Sequence, residues 1–559
     1  MAIYRSDQAQ LTFGAEAAPG GHPEIAITGT MAGGVTLRTA HAAGSTSLDV
    51  SGDTGFAASN IGDFVCIGGG VSNQEQEIRK IEHIIGTGAN TVVYIDAPTA
   101  FYHPASTVVQ KATPNAGGLV NDEDEDKFIN LVPGVYETVD TPDPAQALEG
   151  RYFLGTQAKR NFFAAYKGQQ SYVGSVPGFV LLDGRAIRYP IGKSVTQPTS
   201  VTAKSKLSVA ANKGDVYISV TSATDLTAGT YVGIDVATSV PVSTDIGEVR
   251  KIVDVSGTTL KLDYPLSHTH AAAASGNTQI VLVAGNSEYV HHIFETVDLD
   301  TMSWHVHMRD SGETSANDFD RRYYGGKIGA ASLSADEGGM LTMSWDGVNF
   351  MGMVHNQKLG TSTGSSSAVV PFYGLMQKID QSGTTDVKFP VTEPYYFSEG
   401  SVTVFGQELA RVRNFSLSIA NNEEARYYIQ RRYGRQRGPT EIMEQRREYT
   451  MAMSIALPDS TAANTATTTR LFNELLWEGD YGSGMQGFNI TLRFDRGAND
   501  YILITIPDDG ASATGGNQQG AFIRTAAHAI TGDNPLQVDV DAFFRNMKIE
   551  VKDSLYYYP

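Results

Sequence analysis

The stretch Gly62-Asp-Phe-Val-Cys-Ile67, followed by Glu77-Ile-Arg-Lys-Ile81, decides how this chain is interpreted, because the same pattern returns further along. The second occurrence is Gly229-Thr-Tyr-Val-Gly-Ile234, followed by Glu248-Val-Arg-Lys-Ile252. Further pieces match in the same order: Gly44 to Val50 with Gly214 to Val220, Asp96-Ala-Pro98 with Asp263-Tyr-Pro265, and His103 with His270. Self-similarity of this kind predicts two copies of one small antiparallel β-barrel or sandwich, module 1 (34–112) and module 2 (203–284).

Short runs of alternating apolar and polar residues occur throughout the chain, for example at 91–95 and 501–506. Glycine is abundant, with 58 residues, and Val, Ile, Thr and Tyr recur in the runs. The sequence therefore predicts a mainly β protein. The best helix candidate is 468–478, where Leu471, Leu475 and Leu476 share one face.

The bulk properties exclude several classes of protein. A chain of 559 residues is expected to form two to four folded units, and Cys66, its only cysteine, allows neither an internal disulfide nor a cysteine-rich zinc site. A net charge of −19 excludes a generally DNA-binding surface, although weak repulsion suits a conduit that must not hold DNA. The first residues lack the layout of a signal peptide, and no apolar run is long enough to span a membrane, so we expect a cytoplasmic site of synthesis without membrane insertion.

The repeated Glu-x-Arg-Lys run and the paired histidines admit two interpretations. One is a duplicated binding site. The other is an edge strand whose charges face water, next to a hairpin corner fixed by proline. We favour the edge strand, because small β-modules commonly need such edges.

The rest of the chain is richer in aromatic residues and arginine, and we call it the frame (113–202 and 285–559). Module 2 is therefore predicted to be an insertion in a larger domain. Residues 1–33 are expected to form an N-terminal arm.

Several frame segments occur in an order that is informative. They are Asn130-Leu-Val-Pro-Gly-Val-Tyr-Glu137, Ser303-Trp-His-Val-His307, Tyr323-Tyr-Gly-Gly-Lys-Ile328, Ala331-Ser-Leu-Ser334, Leu341-Thr-Met-Ser-Trp345, Glu393-Pro-Tyr-Tyr-Phe397, 412–422, 437–442 and 446–453. In this order they resemble the bacteriophage tail tube proteins, also called major tail proteins, over about 128–195 and 290–550. The chain departs from compact members of that family in its length and its two modules.

The resemblance implies a tail-tube-type β-sandwich with one flanking α-helix. It implies a virion protein, assembled in the bacterial host cytoplasm into stacked, usually hexameric, rings through which double-stranded DNA passes transiently. Expected partners are further copies of the chain and other tail proteins, namely a terminator, tip or baseplate proteins and, in a contractile tail, a sheath.

Two sets of residues are candidates for functional surfaces under this resemblance. The lumen-strand candidates are Arg413, Asn414, Ser416, Ser418, Arg446, Glu448 and Thr450. In the basic run 426–437, interleaved Arg and Tyr could grip a nucleic acid, but we favour contacts with carboxylates of a neighbouring subunit. These subunit-interface candidates are Arg426, Arg431, Arg432, Tyr433, Arg435 and Arg437.

Enzymatic interpretations find little support. His305 and His307 lie two apart on a predicted strand and could bind metal with His291 or His292, but no further ligand has a recognisable spacing. The acidic stretch 122–126 lacks the pattern of a calcium loop and is interpreted as a solvated loop. No nucleotide-binding or hydrolase motif occurs, so we expect neither catalysis nor a cofactor.

Other structural roles remain as alternatives. The chain could be a tail-tip protein that binds a receptor or glycan, including a depolymerase whose repeats hold host glycans. It could also be a sheath or capsid-decoration subunit, which would share the β composition but not the ordered tube motifs.

Overall fold

Strands dominate the computed structural model, as the sequence predicts, and the mainly β class is confirmed. The structure describes residues 9–16, 32–42, 45–53, 56–57, 64–68, 77–95, 99, 102–112, 131–151, 164–213, 215, 217–237, 240–264, 266–272, 279–285, 287–308, 319–355, 393–404, 407–408, 412–428, 437–456, 489–507, 521–529 and 537–558. Within these ranges, short 3-10 helices occur at Gly88–Asn90, Arg185–Ile187 and Phe397–Glu399. The predicted helix at 468–478 and the acidic stretch 122–126 lie outside the described residues.

The strands alternate buried and partly exposed residues, which is the pattern of sheets with one face on a core. In chain order they are β1 (Ala9–Ala15), β2 (Ala32–Thr36), β3 (Ser47–Val50), β4 (Phe64–Ile67), β5 (Glu77–Ile85), β6 (Thr91–Ile95), β7 (Val108–Ala112), β8 (Val135–Tyr136), β9 (Ala145–Arg151), β10 (Ala164–Val180), β11 (Gly192–Pro198), β12 (Val201–Lys206), β13 (Tyr217–Ser219), β14 (Tyr231–Ile234), β15 (Glu248–Ser256), β16 (Thr259–Leu262), β17 (Gln279–Val283), β18 (Tyr289–Glu295), β19 (Met302–Met308), β20 (Phe319–Asp336), β21 (Thr342–Phe350), β22 (Gly352–His355), β23 (Gly400–Val404), β24 (Gln407–Glu408), β25 (Val412–Ala420), β26 (Glu424–Arg426), β27 (Glu441–Met443), β28 (Glu448–Ala456), β29 (Ile490–Gly497), β30 (Asp500–Ile506), β31 (Ala521–Ala529), β32 (Gln537–Phe544) and β33 (Lys548–Asp553).

Two sheets build the frame. The larger has twelve strands, with the path β31-β32-β28-β25-β20-β21-β10-β8 and with β1, β19, β22 and β9 attached to it. The smaller has seven strands in the order β11-β18-β33-β30-β29-β23-β24. One hydrophobic core joins them, in which the Phe415 ring of the larger sheet stacks 5.3 Å from the Phe494 ring of the smaller.

Both modules leave the frame between residues that are themselves paired. Phe13 of β1 exchanges two backbone hydrogen bonds with Leu131, and module 1 lies between them in the chain. Module 2 lies between β11 and β18, which pair from Gly192↔Glu295 to Pro198↔Tyr289. Each module is therefore attached to the frame by two neighbouring chain ends.

The two modules have the same topology. Their sheet orders are β2-β7-β4-β5-β6-β3 and β12-β17-β14-β15-β16-β13. The pairs Val65↔Arg79 and Val232↔Arg250 occupy the same register, and a bulge follows the same isoleucine in both copies. The bridges Leu37↔Val50 and Leu207↔Val220 join the first strand to the last, so each sheet closes into a small barrel.

Three expectations are wrong. The Glu-x-Arg-Lys runs do not lie on edge strands, because β5 and β15 are flanked on both sides and Arg79 and Arg250 are buried. Residues 9–15 belong to the frame rather than to a separate arm, since β1 pairs with β19 along its full length. The two strands predicted at 323–328 and 331–334 form one continuous strand, β20.

Candidate functional surface

One face of the large frame sheet carries small polar side chains across five neighbouring strands. In β25 the residues Phe415, Leu417 and Ile419 point into the core, and the residues between them point away. The neighbouring strands follow the same alternation. We call this surface the polar face; its members are Thr342, Ser344, Ser332, Ser334, Asn414, Ser416, Ser418, Thr450, Ala452, Ser454, Asp539 and Asp541.

Hydroxyl groups on the polar face bind one another across strands. Ser332 Oγ lies 2.8 Å from Ser344 Oγ, and Ser344 donates to Asp346 at 2.9 Å. Ser454 donates to Asp539 at 2.5 Å. Since these groups partly satisfy each other, the face offers few strong binding positions to a passing ligand.

Charge on and beside the polar face is predominantly negative, and three arginines at its margins are paired with carboxylates. The pairs are Arg413–Glu337 at 3.1 Å, Arg446–Glu448 at 3.4 Å and Arg524–Asp541 at 3.3 Å. Hydrogen bonds from Ser454 and Gln537 hold the pKa of Asp539 below its usual range, so this carboxylate stays ionised at neutral pH. The pairs are exposed and contribute little stability, but each places a carboxylate beside a cation.

The lumen-strand candidates predicted from the sequence come together on this surface. Asn414, Ser416 and Ser418 alternate with core residues on β25, and Thr450 is the register partner of Ser418 on β28. Glu448 begins β28. Arg413 and Arg446 lie at the sheet margin in the ion pairs given above.

The two ends of the same sheet expose large apolar side chains. At the β31 end, the rings of Phe522 and Phe543 stack 5.5 Å apart on the same side of the sheet as the polar face, since Phe543 is the register partner of Thr450, and Phe543 is 46% exposed. At the other end, Val135 on β8 and Val173 on β10 are 53% and 48% exposed. Sequence reasoning missed these residues, because only the strand order reveals that they lie at opposite edges.

The subunit-interface candidates fall at a hairpin that is only partly described. Strands β26 and β27 form its base, and Arg426 is exposed and paired with Glu424 of its own chain at 2.7 Å. Arg437 is also exposed, and its backbone carbonyl accepts a hydrogen bond of 3.0 Å from Gln170 N. Arg431, Arg432, Tyr433 and Arg435 lie outside the described residues, so their contacts with a neighbouring subunit stay a prediction.

A buried charged cluster lies in module 2 on the side that meets the frame. Arg250 donates to Glu248 Oε2 at 2.5 Å, and His270 Nε2 lies 2.6 Å from Glu248 Oε1. Burial raises the pKa of Glu248, but Arg250 and His270 outweigh it and hold that pKa well below its usual range. For His270, burial lowers the pKa, but the neighbouring carboxylates of Asp235 and Glu248 raise it overall. The cluster therefore holds a charged pair in the interior.

The C-terminal segment fastens module 2 to the frame. The Tyr557 ring stacks on Tyr264 at 3.8 Å, and the Arg250 guanidinium lies 4.8 Å from its centre. Tyr556 donates to Asp263, and Tyr558 stacks on His291 of β18 at 3.5 Å. We call residues 555–558 the C-terminal strap. Its run of tyrosines was visible in the sequence, but nothing local indicated its partners.

The histidines considered as metal ligands have other surroundings. His291 Nε2 lies 2.7 Å from the carbonyl oxygen of Leu555 and its Nδ1 lies 3.0 Å from Thr196 Oγ1. His305 is buried on β19, in the other frame sheet from His291. Within the described part of the chain, no three His, Cys, Asp or Glu side chains come together in a way that could hold a metal ion.

A scan against protein-family models finds no match, and a search of curated proteins finds no similar sequence. Among the described residues, no helix is long and apolar enough to cross a membrane. Function is therefore inferred from the surfaces of the chain itself.

Proposed function

We propose that the chain is a structural subunit of a bacteriophage tail tube, a virion protein that assembles into stacked hexameric rings around a channel for double-stranded DNA. The polar face carries this proposal. Its small hydroxyl side chains leave space, and its carboxylates repel phosphate. Duplex DNA would meet no deep binding position along such a face and could slide.

The two apolar ends of the sheet supply the contact between subunits in this proposal. Phe543 at one end and Val135 and Val173 at the other are exposed in the single chain, and the half-buried Phe522 stacks on Phe543. A head-to-tail arrangement of identical copies would bury both patches and close the sheet edges into a ring. Module 1 and module 2 would decorate the tube, whose other partners are the remaining tail proteins.

Electron microscopy of the purified full chain in negative stain, at several concentrations, tests the proposal. We expect rings and hollow tubes of uniform diameter. The double variant Phe522→Ser, Phe543→Ser should remain unassembled, whereas the control Val297→Ser, at a residue that is 90% exposed away from the sheet ends, should assemble normally. Persistent monomers or trimers of the unmodified chain would contradict the proposal and favour a tail-tip protein that binds a host glycan.

Assembled tubes allow a separate test of the channel surface. The variant Ser418→Lys adds a cation to the middle of the polar face, and Thr224→Lys adds one to an exposed loop of module 2. We expect duplex DNA to be retained inside Ser418→Lys tubes at low salt, and to be released as salt is raised. Equal retention by both variants would show that the polar face does not line the channel.

A further inference from the structure

A small cavity lies where the frame meets module 2, next to the C-terminal strap. The space open to the centre of a water molecule is about 10 Å³. Its lining includes Glu16, Arg188 and Asp300 of the frame, Lys213 of module 2 and Tyr557 of the strap.

Arg188 is the least satisfied group of this lining. Its side chain is 1% exposed, and its Nη2 atom donates to Asp300, but Nε and Nη1 have no hydrogen-bond partner among the described residues. A buried guanidinium has five N–H donors, and each donor left unpaired costs free energy. The structure therefore calls for an acceptor beside these two nitrogens.

The charges around the cavity balance. Arg188 and Lys213 are cationic and both pair with Asp300, and Glu16 supplies a second carboxylate. Burial raises the pKa of Asp300, but Lys213 and Arg188 outweigh it and hold that pKa below its usual range, so Asp300 is ionised. Two cations against two carboxylates give an anion no net attraction, and the ligand is expected to be neutral.

The volume of the cavity further restricts which ligand can bind. A cavity needs about 10–15 Å³ by this measure to hold one water molecule, together with two to four polar partners. Arg188 offers donors, and the Asp300 and Glu16 carboxylates offer acceptors. A single water meets both requirements, and a larger polar molecule does not fit.

We propose that one ordered water occupies this cavity, accepts a hydrogen bond from one of the two unpaired nitrogens of Arg188 and donates to the neighbouring carboxylates. Asp300 of the frame pairs with both Arg188 of the frame and Lys213 of module 2, and the water hydrates these ion pairs. We call this arrangement the hydrated ion-pair lock. The lock is independent of the proposed tube function, because it concerns only how module 2 is mounted.

A crystal structure of the full chain, at a resolution that shows ordered water, tests the site directly. We expect one density peak within hydrogen-bond distance of Arg188 Nε or Nη1. Crystals soaked in bromide provide a second test. An anomalous peak in the cavity would show that an anion occupies it instead of water, and would overturn the proposal. A cavity without density would overturn it as well.

Two variants separate the lock from a packing effect. Arg188→Met removes the unpaired donors, and we expect the peak to be lost. The control Arg185→Met lies in the same loop, but Arg185 is fully engaged with Asp183 and does not line the cavity. It should retain the peak, and loss of the peak in both variants would contradict the role given to Arg188.

Discussion

Module 1 and module 2 have the same strand order and register, but different interactions stabilise them. Among its described residues, module 1 has one core cluster, formed from its own side chains between Val35 and Val109. Module 2 has an equivalent cluster and a second one, in which Val249, Val281 and Val283 pack with Tyr289 of the frame and Tyr556 of the strap. Barrels of the same topology can thus be attached to the frame in two ways, depending on the residues at one end of the barrel.

Each module buries the arginine of its Glu-x-Arg-Lys run, Arg79 in module 1 and Arg250 in module 2, and module 1 also carries an exposed ion pair. In module 1, Arg38 is 42% exposed at its side chain, pairs with Asp49 and donates to Ala89 O and Asn90 Oδ1. In module 2, Glu248 and Arg250 are enclosed together. Enclosed pairs are sensitive to the loss of one partner, whereas exposed pairs are not.

Removing the Glu248 carboxylate from the buried ion pair of module 2 should have the largest effect on stability among these changes. Glu248→Gln leaves the Arg250 charge buried without its partner, and we expect a loss of about 3–5 kcal/mol in the free energy of unfolding. Urea unfolding monitored by hydrogen exchange in β12 to β17 measures it. Glu337→Gln breaks the exposed pair with Arg413 and should cost less than about 1 kcal/mol; similar costs for both variants would contradict the enclosed pair.

Loss of the strap contact should weaken module 2 alone. Tyr557→Ala removes the stack on Tyr264 and the contact with Arg250, with an expected cost of about 3 kcal/mol. Amide exchange should accelerate in β14 to β16 and stay unchanged in β4 to β6. Tyr102→Ala, at an exposed position of module 1, is the control and should change stability by less than about 0.5 kcal/mol. Uniform acceleration in both modules would show that the strap is not specific to module 2.

Lowering the pH should reduce the free energy of unfolding of module 2 by less than the two preceding substitutions do. Burial lowers the pKa of His268 to about 4, so this histidine contributes stability above its ordinary pKa of 6.5, and the contribution is lost as pH falls from there towards 4. His270 acts in the opposite direction, since its raised pKa gives stability that is already complete below 6.5. Between about pH 6.5 and 5, His268 should contribute a loss of about 1–2 kcal/mol in module 2, and protonation of Asp215, whose pKa burial raises to about 6, should offset part of it. Hydrogen exchange in module 2 measures the net loss.

The variant His268→Asn isolates this histidine. It should remove the loss due to His268 and leave the opposite contributions of His270 and Asp215 in module 2. The acid dependence of the frame, where burial lowers the pKa of His292 to about 3, should not change. If the stability of module 2 depended on pH in the same way in this variant, another group would be responsible for the acid sensitivity.

The exposed network of module 1 should show the smallest effect. Arg38→Met removes the pair with Asp49 and the bonds to Ala89 and Asn90, and we expect a cost below about 1 kcal/mol because water replaces these contacts. Thermal unfolding with hydrogen exchange in β2 to β7 measures it. A cost as large as that of Glu248→Gln would remove the distinction between the modules.

Part of the candidate surface followed from the resemblance to tail tube proteins, which named Ser416, Ser418 and Thr450 as lumen-strand candidates. The structure places these residues opposite the core residues of β25 and β28 and brings Ser418 into register with Thr450. The burial of Arg79 and Arg250 was not predictable, because a Glu-x-Arg-Lys run has the same local pattern on an edge strand and on a central one. The continuity of β20 was also missed, since glycines at 325, 326 and 329 interrupt the side-chain pattern without ending the strand.

By itself the sequence determined that the protein is mainly β, that one module occurs twice, and where many strands lie, because alternation and repetition are properties of neighbouring residues. Only the tertiary structure decided which strands are central, where the modules join the frame, and which charges are enclosed. Those properties depend on contacts between distant parts of the chain, such as Phe13 with Leu131 and Tyr264 with Tyr557. Such contacts form only when the sheets pack, and no short stretch of sequence encodes them.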